Sequence, residues 1–386
     1  MKILTVDIGT GTQDIFLYDT NLDLENGFKM VLPSPTMMIY RKIKAATARG
    51  RIVLLTGTTM GGGPATWAAE AHARAGLPIY ATPTAALSFN DELSQVEKMG
   101  IKIIPEDKVF SLPSPVLKLE LMDFDYTLIA RTFAAFQVPL DDLAAVCVAV
   151  FDHGNAPPGI SDRQYRFDYL DECILNRNAL SSFAFPYGII PTAMTRLRAV
   201  AHSANNLPFP ILVMDTAPAA ILGASLDPVC AARPRKLIVN LGNFHTIAFR
   251  LGPAGIEGIF EHHTGEIDRP KLEGYLRALA DGSLENSTVF NDMGHGARIY
   301  DSNPLELGTG DWDVIVSGPR RSLFGPGATG NLRPYFATPF GDMMLAGNFG
   351  LLAAAADLMD SELADPLRER LSGLNPSQHA PWDVEY

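Results

Sequence analysis

Lys2-Ile3-Leu4-Thr5-Val6-Asp7-Ile8-Gly9-Thr10-Gly11-Thr12-Gln13-Asp14-Ile15-Phe16-Leu17-Tyr18 opens the chain, and its reading decides the fold. Lys2 to Val6 is a leucine and β-branched run with the character of a buried strand. Ile15 to Tyr18 reads as a return strand, so the Gly/Thr stretch between them is a hairpin turn. Gly9 and Gly11 are expected to take positive φ and to bring backbone N–H groups close to an anion. Thr10 and Thr12 add hydroxyl donors, and Asp7 at the strand end is placed to hold a hydrated divalent metal. An ordinary turn with a solvated Asp would use the same residue types.

Further along, Arg51 to Thr56 is an apolar strand followed by the loop Thr56-Gly57-Thr58-Thr59-Met60-Gly61-Gly62-Gly63-Pro64 and a helix. A glycine loop between strand and helix suits a cleft wall, although it lacks the Gly-Lys-Ser/Thr of a P-loop. The segment 77–123 is rich in Pro and Ser and reads as an irregular insertion. Ala144 to Phe151 is a second buried strand, and it delivers Asp152 at its carboxyl end. Chemistry in open α/β sheets gathers there, so Asp152 is a candidate general base; capping of local N–H groups is the alternative.

Three later stretches extend the pattern. Asp215 to Asp227 is a helix rich in small residues, with Asp215 or Thr216 as its N-cap. Lys236 to Leu251 repeats strand, turn and strand around Asn240-Leu241-Gly242-Asn243-Phe244-His245-Thr246. Val314-Ile315-Val316-Ser317-Gly318-Pro319-Arg320-Arg321 is a strand ending in a glycine turn, followed by the turn Gly325-Pro326-Gly327 and an Ala/Leu-rich helix from Gly341 to Asp357. Two copies of hairpin plus strand signal an internally duplicated fold.

In their order, these stretches resemble the acetate/sugar kinase, heat-shock chaperone and actin-like ATPase superfamily. Within it the chain looks like a small prokaryotic family that has carried the label of a pyruvate formate-lyase activator. The resemblance implies an α/β, two-lobed, ribonuclease H-like duplicated fold with nucleotide between the lobes. The N-terminal lobe would span 1–207, the C-terminal lobe 208–340, and the helices of 341–386 would begin with one that crosses back. It implies ATP and Mg²⁺ as cofactors and γ-phosphoryl transfer or hydrolysis, on a small molecule or in the service of a client enzyme. A nucleotide-regulated scaffold with little turnover is the second reading. Gly9, Thr10, Gly11 and Thr12 would hold phosphates from one side, and Gly242, Asn243 and Thr246 from the other. Ser317, Gly318, Arg320 and Arg321 would face adenosine. Asp7 would anchor the metal, with Asp215 beside the matched acidic position, which Thr216 occupies. Asn240 stands where the family usually has Asp, one charge fewer around the metal.

The net charge of −12 argues against nucleic acid as a partner. No stretch reaches the ~18 apolar residues of a spanning helix, so no membrane association and a cytoplasmic location are expected. Cys147, Cys173 and Cys230 are too far apart for the three-cysteine cluster of a radical activase. His262, His263 and His295 match no metal signature, and adjacent strand residues face opposite ways, so they read as structural or solvated.

Overall fold

The computed structural model describes residues 1–112, 115–325, 330–373 and 376–384. Pro326 and Gly327 of the expected Gly-Pro-Gly turn lie outside them.

The strands, in chain order, are β1 (Lys2–Ile8), β2 (Thr12–Asp19), β3 (Phe28–Pro33), β4 (Ile52–Gly57), β5 (Ile79–Ala81), β6 (Lys102–Ile103), β7 (Val116–Leu121) and β8 (Leu143–Val150). They continue with β9 (Ala184–Pro186), β10 (Ile211–Asp215), β11 (Lys236–Leu241), β12 (His245–Gly252), β13 (Gly255–His263), β14 (Gly296–Ile299), β15 (Val314–Ser317) and β16 (Pro334–Phe336). One sheet runs β3-β2-β1-β8-β10-β9, a second β14-β13-β12-β11-β15-β16. In each, an antiparallel three-strand meander is followed by two strands added parallel to its first member. This shared order is the duplicated ribonuclease H-like, two-lobed architecture.

The duplication reaches single hydrogen bonds. Gly9 N–H donates to the Thr12 carbonyl at 2.9 Å, and Gly242 N–H donates to the His245 carbonyl at 2.9 Å. Both hairpins therefore close on two-residue loops, Thr10-Gly11 and Asn243-Phe244. Neither Gly9 nor Gly11 has positive φ, contrary to the sequence expectation. Their glycines matter through close approach: a Cβ on Gly9 would stand 3.3 Å from the Thr12 carbonyl, and one on Gly11 3.2 Å from the Asn243 amide nitrogen.

Two expected boundaries move. β10 pairs in parallel with β8, so the strand around 211–215 completes the first sheet instead of opening the second lobe at 208. Residues 52–121, expected to be partly irregular, build a separate parallel sheet in the order β6-β5-β4-β7. Its strands β5 and β6, of three and two residues, are too short to leave a periodic trace in the sequence.

Between the main sheets lie two helices, Thr216–Ser225 and Ala346–Leu358, both almost wholly buried. Glycines let their backbones touch. A methyl at Gly223 would collide with the Ala346 carbonyl, and one at Gly350 with that of Ala219. The second helix crosses back to the first lobe, where Asn348 donates to the carbonyls of Thr5 and Asp14 at 3.1 and 2.9 Å. Among the described residues no helix is long and apolar enough to cross a membrane.

This crossing generates the first prediction. Gly350→Ala should lower stability by about 1–3 kcal/mol or more through overpacking, read as a lower urea midpoint. An unchanged midpoint would show that the helices part without cost.

Candidate functional site

The lobes enclose a cleft of about 380 Å³, walled by both hairpin turns, the β15 turn, the loop 59–63 and the carboxyl end of β8. Ser34 fixes the first turn from behind: its hydroxyl donates to the Thr10 carbonyl at 2.6 Å while it caps the helix Pro35–Ala48. Thr36 donates to the Gly62 carbonyl at 2.5 Å and accepts from Ala65 N–H, which holds the glycine loop at the helix Gly63–Arg74. Gly63 reaches both turns, since its Cβ would lie 3.3 Å from the Phe244 ring and 3.6 Å from the Thr10 methyl.

Of the residues expected to bind the cofactor, Gly9, Thr10, Gly11, Thr12, Asn240, Gly242, Asn243, Ser317 and Gly318 line this cleft. Gly318 has φ +96°, and a Cβ there would stand 2.5 Å from the Leu241 carbonyl and 2.6 Å from Asn240 Oδ1, so the backbone must pass close. Thr246 does not line the cleft. It is fully buried, hydroxyl to hydroxyl with Thr264 at 2.9 Å, because it falls on the far side of its strand. Arg320 and Arg321 also stay outside the lining; the Arg321 guanidinium sits 5.8 Å from the Phe336 ring.

The three candidate carboxylates divide. Asp7 lines the cleft and accepts from the Thr216 hydroxyl at 2.5 Å. Asp152 is at the wall, but it accepts from Gly154 N–H at 2.8 Å and Leu197 N–H at 2.9 Å, so both oxygens cap backbone. Asp215 is absent from the lining and fully buried. It is ion-paired with Arg166, caps Ala217 N–H, and shares Arg166 with Glu261 at 3.1 Å. Asp152, the candidate general base, and Asp215, beside the matched acidic position, thus both engage their oxygens with backbone N–H groups or with Arg166.

Asp14, which the sequence reading passed over, is the cross-strand partner of Asp7. A two-residue loop at Thr10-Gly11 would have revealed that register, and directly opposed residues share one face. Asp14 also lines the cleft, and its Oδ1 is buried without a hydrogen-bond partner among the described residues. Burial, then the charge of Asp7, raises its carboxyl to about 8. Burial raises Asp7 to about 6, against the opposing Thr216 hydrogen bond. Two adjacent, desolvated carboxylates with an orphaned oxygen fit a hydrated divalent cation.

A second group comprises His153 after β8, His245 opening β12, His295 before β14, and His263 closing β13. One ring nitrogen each of His153, His245 and His295 lies within 4.8 Å of the others. His263 adds a ring 4.6 Å from that of His295. Burial foremost lowers all four: His153 and His245 well below the ordinary range, His263 less, His295 to about 2. His262 is apart, 3.3 Å from Asp292 and packed on Tyr275, which matches the structural expectation. His263 and His295 instead pack against His245, because the segment before β14 returns to β13 through the bond from His295 N–H to the Glu261 carbonyl.

The family model described as "Putative pyruvate format-lyase activating enzyme (DUF1786)" matches residues 60–323, more than half of the chain. The chain belongs to this family. No curated protein matches it significantly. Among solved structures, it is similar to the activator of 2-hydroxyisocaproyl-CoA dehydratase from Clostridium difficile with bound ADPNP. That match has 9% identity, covers 97% of this chain and 98% of that one, and has a TM-score of 0.33. A ROK family glucokinase from Streptomyces griseus in complex with glucose and AMPPNP matches at 14% identity, 93% and 99% coverage and TM-score 0.29. The ethanolamine utilization protein EutJ from Carboxydothermus hydrogenoformans matches at 10% identity, 91% and 89% coverage and TM-score 0.29.

The family description does not bring a cysteine-held cluster with it. Cys147 lies within β8, Cys173 in the helix Asp162–Asn176 and Cys230 in the turn Pro228–Ala231, and burial pushes each thiol up to about 12. None belongs to a group of metal-ligating side chains among the described residues. Iron–sulfur ligation needs converging thiolates.

The acidic pair predicts a pH dependence. Unfolded, Asp14 titrates near ~4, whereas folded it titrates at about 8. The folded state keeps a proton that the unfolded chain has lost, so metal-free stability falls as pH rises from about 4 to about 8. Urea unfolding in chelator at pH 5 and pH 8 should show a loss of at least ~1.4 kcal/mol, one pKa unit's worth. Asp14→Asn should remove most of that slope. A flat wild-type profile would contradict the assignment.

Proposed function

We propose that this protein binds ATP with Mg²⁺ in the interlobe cleft and transfers or hydrolyses the γ-phosphoryl group. The observation that carries the reading is the pair of matched glycine turns, closed by equivalent hydrogen bonds and meeting at Gly11 and Asn243. Opposed turns of this kind offer backbone N–H groups to a polyphosphate from two sides. Asp7 and Asp14 would hold the hydrated Mg²⁺, which supplies charge neutralisation at the phosphates. Thr216 orients Asp7 through its hydrogen bond. Ser317 and Gly318, beside Asn240, form the wall suited to the nucleoside.

The acceptor would enter beyond the phosphates, where Ser88, Asn90, Thr195 and Arg196 line the cleft. Arg196 is fixed there by Asp123 at 2.6 and 3.0 Å, and the same carboxylate accepts from Gly61 N–H. A small molecule, or a segment of a client enzyme, would then lie against the glycine loop. A second reading is favoured by a specific observation: Asp152 and Asp215 are both committed to structure. A protein whose lobes close on nucleotide with slow turnover, acting as an accessory to another enzyme, would have this arrangement.

Calorimetry and thermal shift with ATP and ADP, with and without Mg²⁺, test the proposal. At nucleotide one hundred times its Kd, stabilisation of about 2.7 kcal/mol is expected. Asp7→Asn and Asp14→Asn should each weaken Mg²⁺ binding, so that more Mg²⁺ is needed, and reduce turnover at least ~10-fold, the scale of one lost charged metal contact. Asn240→Asp should matter less, because the first hairpin already supplies two carboxylates. Absence of any purine nucleotide binding at millimolar concentration would refute the reading. Tight binding with negligible phosphate release would select the accessory role.

A further inference from the structure

Three histidines from separate parts of the sequence meet at the junction of the lobes, and the nucleotide chemistry above leaves them without a task. We infer that His153, His245 and His295 form a binding site for a divalent transition metal of the Zn²⁺ class, distinct from the Asp7/Asp14 pair. His153 comes from the first lobe, while His245 and His295 come from the second, so the ion would bridge the two.

The geometry supports this. The ring centroids stand 5.1 Å apart for His245 and His295, 5.3 Å for His153 and His245, and 5.9 Å for His153 and His295. With metal–nitrogen bonds of ~2.0–2.1 Å, tetrahedral ligand atoms sit roughly 3.3–3.4 Å apart. The nitrogens here, within 4.8 Å of one another, need only small side-chain rotations to close on an ion. Each ligand is attached to the end of a strand, which limits how far it can wander.

Hydrogen bonding points the same way. Nε2 of His245 and both ring nitrogens of His295 are buried and have no hydrogen-bond partner among the described residues. An imidazole buried without partners is costly, and a cation that accepts its lone pair removes that cost. Glu261 Oε2 lies 3.9 Å from His295 Nδ1, close enough to become the outer partner that metal-bound histidines favour. Phe151 stacks on His245 at 4.0 Å and fixes that ring.

Charge around the group is mixed. Arg166 and Arg163 oppose a cation, but Arg166 is held between the carboxylates of Asp215 and Glu261, and Arg163 donates to the carbonyls of Phe290 and Gly294. Neutral imidazoles suit Zn²⁺, Co²⁺, Ni²⁺, Cu²⁺ or Fe²⁺, whereas Mg²⁺ prefers oxygen. His153 and His245 both line the cleft, so an ion held by them would border it. His263 stands next to the group as a fourth imidazole or an outer neighbour.

The test uses the untagged full chain, stripped with chelator and free of nucleotide, so it stands apart from the ATP reading. Zn²⁺ titration by calorimetry should give about one equivalent, and Co²⁺ should give visible absorption bands of a four- or five-coordinate nitrogen site. His153→Ala, on the cleft wall, and His295→Ala, in the interior, should each weaken Zn²⁺ binding more than ~10-fold. His262→Ala should leave it within about twofold, and millimolar Mg²⁺ should not displace Co²⁺. Metal-free melting of His153→Ala near the wild-type value separates loss of the site from loss of fold. No stoichiometric Zn²⁺, displacement of Co²⁺ by Mg²⁺, or unchanged affinity in His153→Ala would overturn the assignment.

Discussion

Arg166 is the constraint on which the junction of the two lobes depends. It is fully buried in the helix Asp162–Asn176, and it joins Asp215 at the end of β10 to Glu261 on β13. It also donates to the Asp152 carbonyl at 3.0 Å, at the exit of β8. One guanidinium therefore sets the mutual position of three strand ends from two sheets. Such a group adds little net stability over an apolar packing, but removing one partner typically costs ~3–5 kcal/mol because a buried charge is left alone. Its consequence here is geometric. By claiming Asp215 it takes that carboxylate out of the cleft, and by holding Glu261 it places the second lobe's meander beside His153.

The distribution of polar groups along the cleft follows from this frame. The two hairpins are built alike in backbone but not in charge. The first carries Asp7 and Asp14 on one face, the second carries Asn240 and Asn243. Where the second hairpin presents Asn240, the first presents a carboxylate on each of its two strands. Both carboxyls stand on one wall, where burial makes their ionised forms expensive without a cation. The histidines form a separate group, distinct in donor chemistry: oxygen donors on the first hairpin, imidazole nitrogens from His153, His245 and His295.

The loop 59–63 links these regions to the separate parallel sheet. Trp67, on the helix that follows it, lies 5.8 Å edge-on from Phe244 in the second hairpin, although it remains about half exposed. A small sheet inserted between β3 and β8 thereby touches the turn of the other lobe. The small sheet and both lobes are therefore all represented at the wall of the cleft, with this aromatic contact joining the first of these to the second hairpin.

Local pattern determined much of this protein before any tertiary contact was considered. The buried run of β1, the glycine turn after it and its second copy around Gly242 were legible because strand periodicity and tight turns are properties of adjacent residues. The duplicated fold, the cleft and most of the turn residues lining it followed from those copies and from the family resemblance. The pairing of Asp7 with Asp14 was also within reach, because a two-residue loop sets the register. What the chain order hid were relations between distant residues. Asp215 and Thr216 are neighbours in sequence, yet the helix start turns one inward to Arg166 and the other outward to Asp7. Thr246 and His245 differ by one position and face opposite sides of β12. His153, His245 and His295 converge only because β8, β12 and the approach to β14 end at one place. Side-chain direction and the meeting of strand ends are set by packing across long loops, and no local spacing encodes them.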